Sequence, residues 1–346
     1  MRGLALAMVL LTCTSTARAA SPDLEAHIVS VVGEGDTGRA IADESPKHAK
    51  ASEGVTLYAA IVIDGVVYSD APRVKLAGKT RKTRPLADAG ARLELRWYRV
   101  EPGVEDLSNE TSGTFSYQAI PYEETEIQDM RDRTHARADV HPTRTPDRGG
   151  GLGTMRYKLV VRRAGSAAAT PGVEARRGGA SGGLTDAVHR VSLRADDSYL
   201  GWLTEMYGQP YIWASAGPSS ATHQSERLEG SDCADFVVYG WRRLGHDVPY
   251  TWTGGLPALT RLLAGGARRD DGVYVDARGL AIAAPAPGDI LLFPRHVGVF
   301  VRDVGVPGVL DDADIMVHTL FESPHEQDIA GSGYAGRPVE VRRWKQ

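Results

Sequence analysis

The chain has 346 residues, a formal net charge of −4, 24% charged residues and 42% hydrophobic residues. This length allows about two domains of roughly 100–200 residues each, with enough apolar side chains for packed cores. No basic excess points to a nucleic-acid partner. No stretch reaches the roughly 18 consecutive apolar residues of a membrane-spanning helix, so we expect no membrane span.

Residues 1–19 are typical of a secretory signal peptide. Arg2 supplies the positive end, residues 4–11 are apolar, and residues 17–19 (ARA) form a small-residue cleavage site. Lipidation at Cys13 is an alternative, which the preceding threonine disfavours. Either interpretation predicts an exported protein, periplasmic or extracellular, at a bacterial cell envelope.

Residues 20–165 predict an all-β accessory domain. Two apolar runs flank Asp64-Gly65, a strong signal for a tight hairpin, and residues 91–100 alternate apolar and charged side chains. Residues 114–120 and 155–163 are further candidate strands. The spacing of short strands and turns predicts a sandwich, and the pattern resembles an immunoglobulin-like domain.

Two polar or small-residue segments interrupt this pattern. Residues 129–151 are rich in Arg, Asp, Pro and Gly and predict a mobile loop. Residues 166–194 predict a linker followed by a connecting strand at 188–194.

Residues 195–346 have a different character and predict an α+β domain. Helices are expected at 197–207, 233–244 and 256–264. Strands are expected afterwards, at 288–293, 297–302, 314–319 and 339–344.

Cys233 is the only cysteine outside the predicted signal peptide. An unpaired cysteine in an exported protein is an intermolecular link, an inert buried thiol or a nucleophile. Asp232 can cap a helix that begins at Cys233, and Gly245 can end that helix. The sulfur would then lie at a helix N-terminus, where the dipole favours thiolate, and we therefore favour the nucleophile.

A thiol nucleophile needs a base, and the base needs a group that orients it. His296 begins an apolar strand and His318 ends the next one, so a hairpin would place the two imidazoles side by side. His325 lies nearby and is an alternative to His318. No Cys-x-x-Cys or His-Glu-x-x-His spacing occurs, and the sequence predicts neither a metal nor a cofactor.

Four motifs in the second half of the chain resemble the NlpC/P60 cysteine peptidases, in the order found in that family. They are residues 207–213 (YGQPYIW), 232–237 (DCADFV), 287–300 (PGDILLFPRHVGVF) and 317–318 (VH).

The resemblance implies a papain-like fold, with helices packed on an antiparallel sheet, and cleavage of peptidoglycan stem peptides. It implies that Cys233 is the nucleophile, His296 the general base and acid, and His318 the orienting residue. Tyr211 would help to polarise the substrate carbonyl, and the Cys233 backbone N–H would form part of an oxyanion hole. The accessory β domain would bind the wall or a partner protein.

Three features depart from the family pattern. Asp235 replaces a small residue after the cysteine, an extra polar segment occupies 219–229, and a longer loop at 304–312 separates the two histidines. These departures leave two alternatives open. One is a papain-like amidase, transferase or toxin with another substrate, and the other is a catalytically degenerate binding protein of the cell envelope.

Overall fold

The computed structural model describes residues 23–33, 40–71, 73–90, 92–178 and 181–345. The predicted signal peptide and Cys13 lie outside the described residues. Strands account for 41% of the structure and helices for 11%.

The first half of the chain consists of strands. In chain order these are β1 (Leu24–Val32), β2 (Ala42–Asp43), β3 (Lys47–Lys50), β4 (Val55–Ile63), β5 (Val66–Tyr68), β6 (Val74–Leu76), β7 (Lys79–Arg81), β8 (Thr83–Arg84), β9 (Glu94–Pro102), β10 (Asp106–Ser108), β11 (Glu110–Thr111), β12 (Thr114–Phe115), β13 (Tyr122–Glu126), β14 (His135–Arg137), β15 (Gly153–Arg163), β16 (Ser166–Ala169) and β17 (His189–Arg194). Short 3-10 helices cover Leu86–Ala89 and Gln128–Met130.

These strands form two large sheets. The first has the order β7-β6-β2-β1-β4-β5-β8, with β14 also paired to β4, and the second has the order β13-β9-β15-β17-β3, with β16 paired to β15. The predicted hairpin is confirmed, because Asp64 and Gly65 take positive φ angles of 50° and 79° between β4 and β5. The strands β16 and β17 come from the segment predicted as linker and connecting strand.

The first sheet buries both of its faces. Leu57, Ala59 and Ile61 of β4 pack into a core shared with Trp97 of the second sheet. Their neighbour Tyr58 packs on the opposite face, in a separate core with strands of its own sheet. A strand that is apolar at nearly every position therefore lets this sheet curl on itself.

The polar segment 129–151 is held against the second sheet by hydrogen bonds. The Trp97 indole donates to the Arg133 carbonyl at 2.9 Å, and the Tyr157 hydroxyl donates to the Asp139 carbonyl at 2.7 Å. Val140 of this segment is buried in the shared core.

The second half of the chain contains the helices and a third large sheet. In chain order the elements are α1 (Tyr199–Leu203), a 3-10 helix (Thr204–Met206), β18 (Tyr211–Trp213), a 3-10 helix (Ser220–Thr222), α2 (Cys233–Arg243), α3 (Leu256–Leu259), β19 (Thr260–Arg268), β20 (Tyr274–Val275), β21 (Ile290–Phe293), β22 (His296–Arg302), β23 (Ile315–His318), β24 (His325–Asp328) and β25 (Val339–Trp344).

The third sheet has the order β20-β19-β25-β21-β22-β23-β24. Its two faces are also buried in different ways. Ile290 and Leu292 face α1 and α2, whereas the alternate residues Leu291 and Phe293 face a core built from the sheet's own strands and loops. This sheet therefore curls as a half-barrel, and the helices cover one face only.

The predicted fold class is wrong. The chain is mostly β, with barrel-like and half-barrel sheets, and it is neither a papain-like α+β domain nor an immunoglobulin-like sandwich preceding one. The physical reason is that the helices are too short to form a layer. The predicted helix at 256–264 stops at Leu259 and continues as strand β19, and α1 spans only Tyr199–Leu203.

A short parallel pair joins the two halves of the chain. Strand β10 pairs with β18, so that Asp106 lies opposite Tyr211 and Ser108 opposite Trp213. Within the described residues, the helices are too short or too polar to cross a bilayer.

Candidate active site

The helix that carries the candidate nucleophile starts as the sequence predicts. Helix α2 begins at Cys233, and the Asp232 carboxylate accepts hydrogen bonds from the backbone N–H groups of Ala234 and Asp235 at 3.0 and 2.9 Å. Gly245 follows the other end with a positive φ of 96°. Local capping therefore places Cys233 in the first turn of the helix.

The sulfur of Cys233 is buried, and only 4% of the residue is exposed. Burial raises the pKa of the thiol, and the neighbouring Asp232 carboxylate raises it further. The backbone N–H of Val297 hydrogen-bonds to the sulfur and opposes this rise. The expectation that the helix dipole yields a resting thiolate is therefore wrong, because desolvation outweighs the dipole here.

Two histidines and a glutamine form a hydrogen-bonded chain beside this helix. His296 is the first residue of β22 and directly precedes Val297, whose N–H reaches the sulfur. Its Nε2 lies 3.0 Å from Nδ1 of His318, at the end of β23. The Nε2 of His318 in turn lies 2.9 Å from Oε1 of Gln327 on β24.

The hydrogen-bond chain fixes both tautomers. Because the Gln327 Oε1 atom only accepts, the His318 Nε2 atom carries a proton and its Nδ1 atom accepts. His296 therefore donates from Nε2, and its Nδ1 atom carries the lone pair. That Nδ1 atom is buried and has no hydrogen-bond partner within the described residues. The site thus holds an unengaged base next to the strand residue that contacts the sulfur.

Both imidazoles are kept neutral. Burial lowers the pKa of His296 well below 6.5, and the adjacent His318 lowers it further. Burial also lowers the pKa of His318 to about 4, despite its hydrogen bond to Gln327. The alternative orienting residue, His325, places its Nδ1 atom 2.9 Å from the Ser323 carbonyl. The structure therefore brings His318, and not His325, into hydrogen-bond contact with His296.

Tyr211 lies on the strand next to the start of helix α2. It is the first residue of β18, which pairs with β10, and it forms a bridge with Ser231, two residues before Cys233. Burial raises the pKa of its phenol, and charge on Cys233 raises it further. The hydroxyl consequently stays protonated and can donate a hydrogen bond near the sulfur.

Two residues near His296 were missed by sequence reasoning. The Tyr334 ring stacks on the His296 imidazole, with centroids 4.4 Å apart and planes 29° apart. Gln327 orients His318, as described above. Tyr334 lies in a glycine-rich loop that gives no sequence signal. Gln327 sits two residues after His325 on a short strand, and only the pairing of β23 with β24 identifies its partner.

Asp235 is held by neighbouring polar side chains, and its negative charge would raise the pKa of the Cys233 thiol. Its carboxyl accepts a hydrogen bond from the Ser215 hydroxyl at 2.6 Å and lies 3.4 Å from Nε2 of His223. Burial raises the pKa of Asp235 well above its usual range, and the nearby Asp232 raises it further. His223 is itself buried and stacks on Tyr250, with ring centroids 3.8 Å apart.

Two pockets are lined by residues of the candidate site. One, of about 430 Å³, is lined by Ser215, His223, Asp232 and Asp235, so that the extra segment 219–229 forms part of its wall. The other, of about 400 Å³, is lined by Tyr211 and Tyr334 among others. In the described part of the chain, no group of three or more His, Cys, Asp or Glu side chains is arranged to hold a metal ion.

No protein-family model matches the chain, and a search of curated proteins found no match either. The NlpC/P60 resemblance therefore rests on the four short motifs, and the peptidase activity that it implies stays a prediction. The start of helix α2 therefore combines a buried thiol, a neighbouring neutral imidazole with an unpartnered nitrogen, and a protonated phenol.

Proposed function

We propose that this chain is an exported cysteine hydrolase that cleaves amide bonds in peptidoglycan stem peptides. Cys233 is the nucleophile, His296 the general base and acid, and His318 the orienting residue. Tyr211 assists at the carbonyl oxygen. The N-terminal β region binds the wall or a partner protein in this proposal.

The observation that carries the proposal is the unpartnered Nδ1 atom of His296. A buried polar atom without a hydrogen-bond partner is rare, because desolvation without compensation costs about 1–3 kcal/mol. The Nδ1 atom of His189 is also unpartnered, and what distinguishes His296 is its position next to Val297, whose N–H contacts the Cys233 sulfur. Here the hydrogen bond from Nε2 to His318 leaves the basic nitrogen free, close to the only described cysteine.

The acylation step follows from the resting protonation states. Because the pKa of the Cys233 thiol is raised and that of His296 is lowered, the resting pair is neutral. The thiol proton moves to Nδ1 of His296 as the sulfur attacks the carbonyl carbon of the amide. The positive charge that forms on the imidazole is stabilised by the Nε2–H bond to His318. General base catalysis of this kind contributes about 10²–10⁴-fold.

The tetrahedral intermediate then collapses to a thioester. Its oxyanion accepts hydrogen bonds from the Cys233 backbone N–H and the Tyr211 hydroxyl. His296 returns the proton to the leaving amine, and the C–N bond breaks. In the second half-reaction, water gives a proton to His296 as its oxygen attacks the thioester carbonyl. His296 then returns this proton to the sulfur as the C–S bond breaks, which leaves a carboxylic acid product and a free thiol.

The choice of substrate is supported by the four motifs and by the predicted export signal. Both fit an enzyme that meets the cell wall, where amide bonds of stem peptides are abundant. The alternative activities, those of an amidase, transferase or toxin with another substrate, would use the same thioester step.

Digestion of purified peptidoglycan tests this proposal. The chain without residues 1–19 should release stem-peptide fragments whose masses identify the cleaved bond, and Cys233→Ala should release none. His135→Gln is a matched control for histidine loss, because His135 is exposed and stacks on Tyr58 in the first sheet. Equal release by the wild type and Cys233→Ala, or no release by either, would contradict the proposed function.

A further inference from the structure

The pocket of about 400 Å³ lies between β18, the turn that joins β21 to β22, and the loops that follow β23 and β24. We name it the arginine pocket. The residues that line it include Tyr211, Trp213, Arg295, Phe321, Tyr334 and Arg337.

The arginine pocket borders the candidate site, because one of its lining residues, Tyr334, contacts the candidate base. Burial raises the pKa of the Tyr211 and Tyr334 phenols, and charge on the Cys233 sulfur raises both further, so both rings stand near the sulfur. Tyr334 also stacks on the His296 imidazole. A group bound in this pocket would therefore lie beside the aromatic ring that stacks on the candidate base.

Two guanidinium groups line the pocket without an ion-pair partner among the described residues. Both Arg295 and Arg337 are exposed, and their side chains form neither an ion pair nor a hydrogen bond with any described residue. Other arginines of the same sheet are paired, as in Arg343 with Asp289 at 2.6 Å. Charge on Arg295 and Arg337 also favours ionisation of the Tyr334 phenol, which places both near that ring.

The backbone holds Arg295 in a defined position. It occupies the two-residue turn between Phe293 and His296, with a positive φ of 66°. A non-glycine residue rarely adopts this conformation and does so where the surrounding structure fixes it. The turn therefore presents the guanidinium immediately before the catalytic base, on a rigid hairpin.

We propose that the arginine pocket selects substrates with a carboxylate next to the scissile amide, held by Arg295 and Arg337. Guanidinium groups match carboxylates with paired, charge-assisted hydrogen bonds. The exposed Phe321 ring and the Trp213 ring contact the apolar stem of the same residue. This inference rests on the proposed function, because it specifies the substrate of that site.

Alkylation of Cys233 by two reagents of similar size and different charge tests whether the pocket prefers a carboxylate. Iodoacetate carries a carboxylate and iodoacetamide a neutral amide, and each forms a C–S bond with loss of iodide. The ratio of the iodoacetate rate to the iodoacetamide rate should be higher for Cys233 than for free glutathione. Arg295→Gln with Arg337→Gln should lower the iodoacetate rate about tenfold, the effect of losing one charge-assisted hydrogen bond, and leave the iodoacetamide rate nearly unchanged. Arg261→Gln removes the same charge from β19 and should change neither rate.

An iodoacetate-to-iodoacetamide ratio that is the same in the wild type, the double variant and Arg261→Gln would overturn the carboxylate proposal. A thiol that reacts with neither reagent would count against the proposed function instead. In that case a binding measurement on Cys233→Ala decides the carboxylate proposal without thiol chemistry. Calorimetric titration should show that glutarate binds at least tenfold more tightly than glutaramide, and that the double arginine variant loses this difference. Equal binding of the two ligands would overturn the inference.

Discussion

The Nε2 atom of His296 lies 3.0 Å from the Nδ1 atom of His318, and this contact joins neighbouring strands β22 and β23. It fixes which nitrogen of His296 carries the lone pair. Since the free nitrogen faces no described partner, the hydrogen bond between the histidines turns a buried imidazole into an available base. The proposed mechanism depends on this relationship more than on any other.

Removal of His318 should therefore impair catalysis without removing the nucleophile or the base. His318→Ala is expected to lower kcat by about a hundredfold, because His296 loses the group that orients it. His318→Asn should recover much of the loss, since its side-chain oxygen can accept from Nε2 of His296. Steady-state kinetics on soluble muropeptides measure both.

His325 provides the control for this prediction. It lies opposite His318 on β24, but its Nδ1 atom is engaged by the Ser323 carbonyl. His325→Gln should keep kcat within about threefold of the wild type. A larger loss from His325→Gln than from His318→Ala would show that the orienting residue has been misassigned.

Gln327→Glu should shift the pH dependence of the reaction. A carboxylate in place of the amide raises the pKa of His318, which stands at about 4 in the wild type. Once protonated, His318 can no longer accept from Nε2 of His296, so the base is held in the wrong tautomer. We expect activity to be lost at lower pH and to recover as pH rises above the new pKa. A pH–rate profile unchanged from that of the wild type would contradict the tautomer assignment.

Asp232 has two separable effects on Cys233, a helix cap and a charge. Asp232→Asn keeps the cap and removes the charge that raises the pKa of the thiol. Burial raises the pKa of Asp232, so Asp232→Asn should speed alkylation by iodoacetamide at neutral and alkaline pH, where the carboxylate is charged, and have little effect in acid. Asp232→Ala should additionally lower the free energy of unfolding by about 1 kcal/mol through loss of the cap. Identical alkylation rates for Asp232→Asn and the wild type at high pH would exclude the charge effect.

Tyr211→Phe should separate transition-state stabilisation from thiol activation. The ring packing is retained, but the hydroxyl that is proposed to face the oxyanion is lost. We expect kcat to fall by about a hundredfold or more, and the iodoacetamide rate of Cys233 to stay within about threefold. A parallel fall in both quantities would assign Tyr211 a role in thiol activation.

Three buried histidines should make the fold acid-sensitive. Burial lowers the pKa of His189, His223 and His318 to about 4, from an ordinary value of 6.5. Between these values the unfolded chain binds more protons than the folded chain, so stability is present above pH 6.5 and is lost as pH falls towards 4. Each histidine contributes on the order of 3 kcal/mol to this loss.

Urea denaturation across this pH range measures the effect. His189 lies in the N-terminal half, away from the candidate site, and its Nε2 atom is 2.9 Å from the Ser30 hydroxyl. His189→Gln should reduce the slope of the unfolding free energy against pH, whereas the exposed His135→Gln should not. An unfolding free energy that is flat between pH 7 and 4 in the wild type would contradict the assigned protonation states.

Local signals were sufficient to predict much of the candidate site. Asp232 caps a helix that begins at Cys233 through contacts within three residues. The strands that carry His296 and His318 are short apolar runs, and they pair as expected. These features depend on neighbours in sequence, which is why the sequence predicts them.

The fold class and the surroundings of the site depend on distant contacts, and the sequence did not predict them. Strand β18 is completed by β10, about a hundred residues earlier, and β17 pairs in parallel with β3, which lies still further away. The burial that raises the pKa of Cys233 comes from such packing, as does the stacking of Tyr334 on His296. Because β4 is apolar at consecutive positions, its sequence did not predict that the two faces of the first sheet pack into separate cores.

Trapping the covalent intermediate tests the central claim most directly. The wild type and His296→Ala would be mixed with soluble muropeptides, quenched in acid, and digested for mass spectrometry of the peptide that contains Cys233. The account predicts a hydroxylamine-labile acyl adduct on Cys233 in the wild type, and none in His296→Ala. Fragment release by the wild type without such an adduct, undiminished in Cys233→Ala, would contradict it.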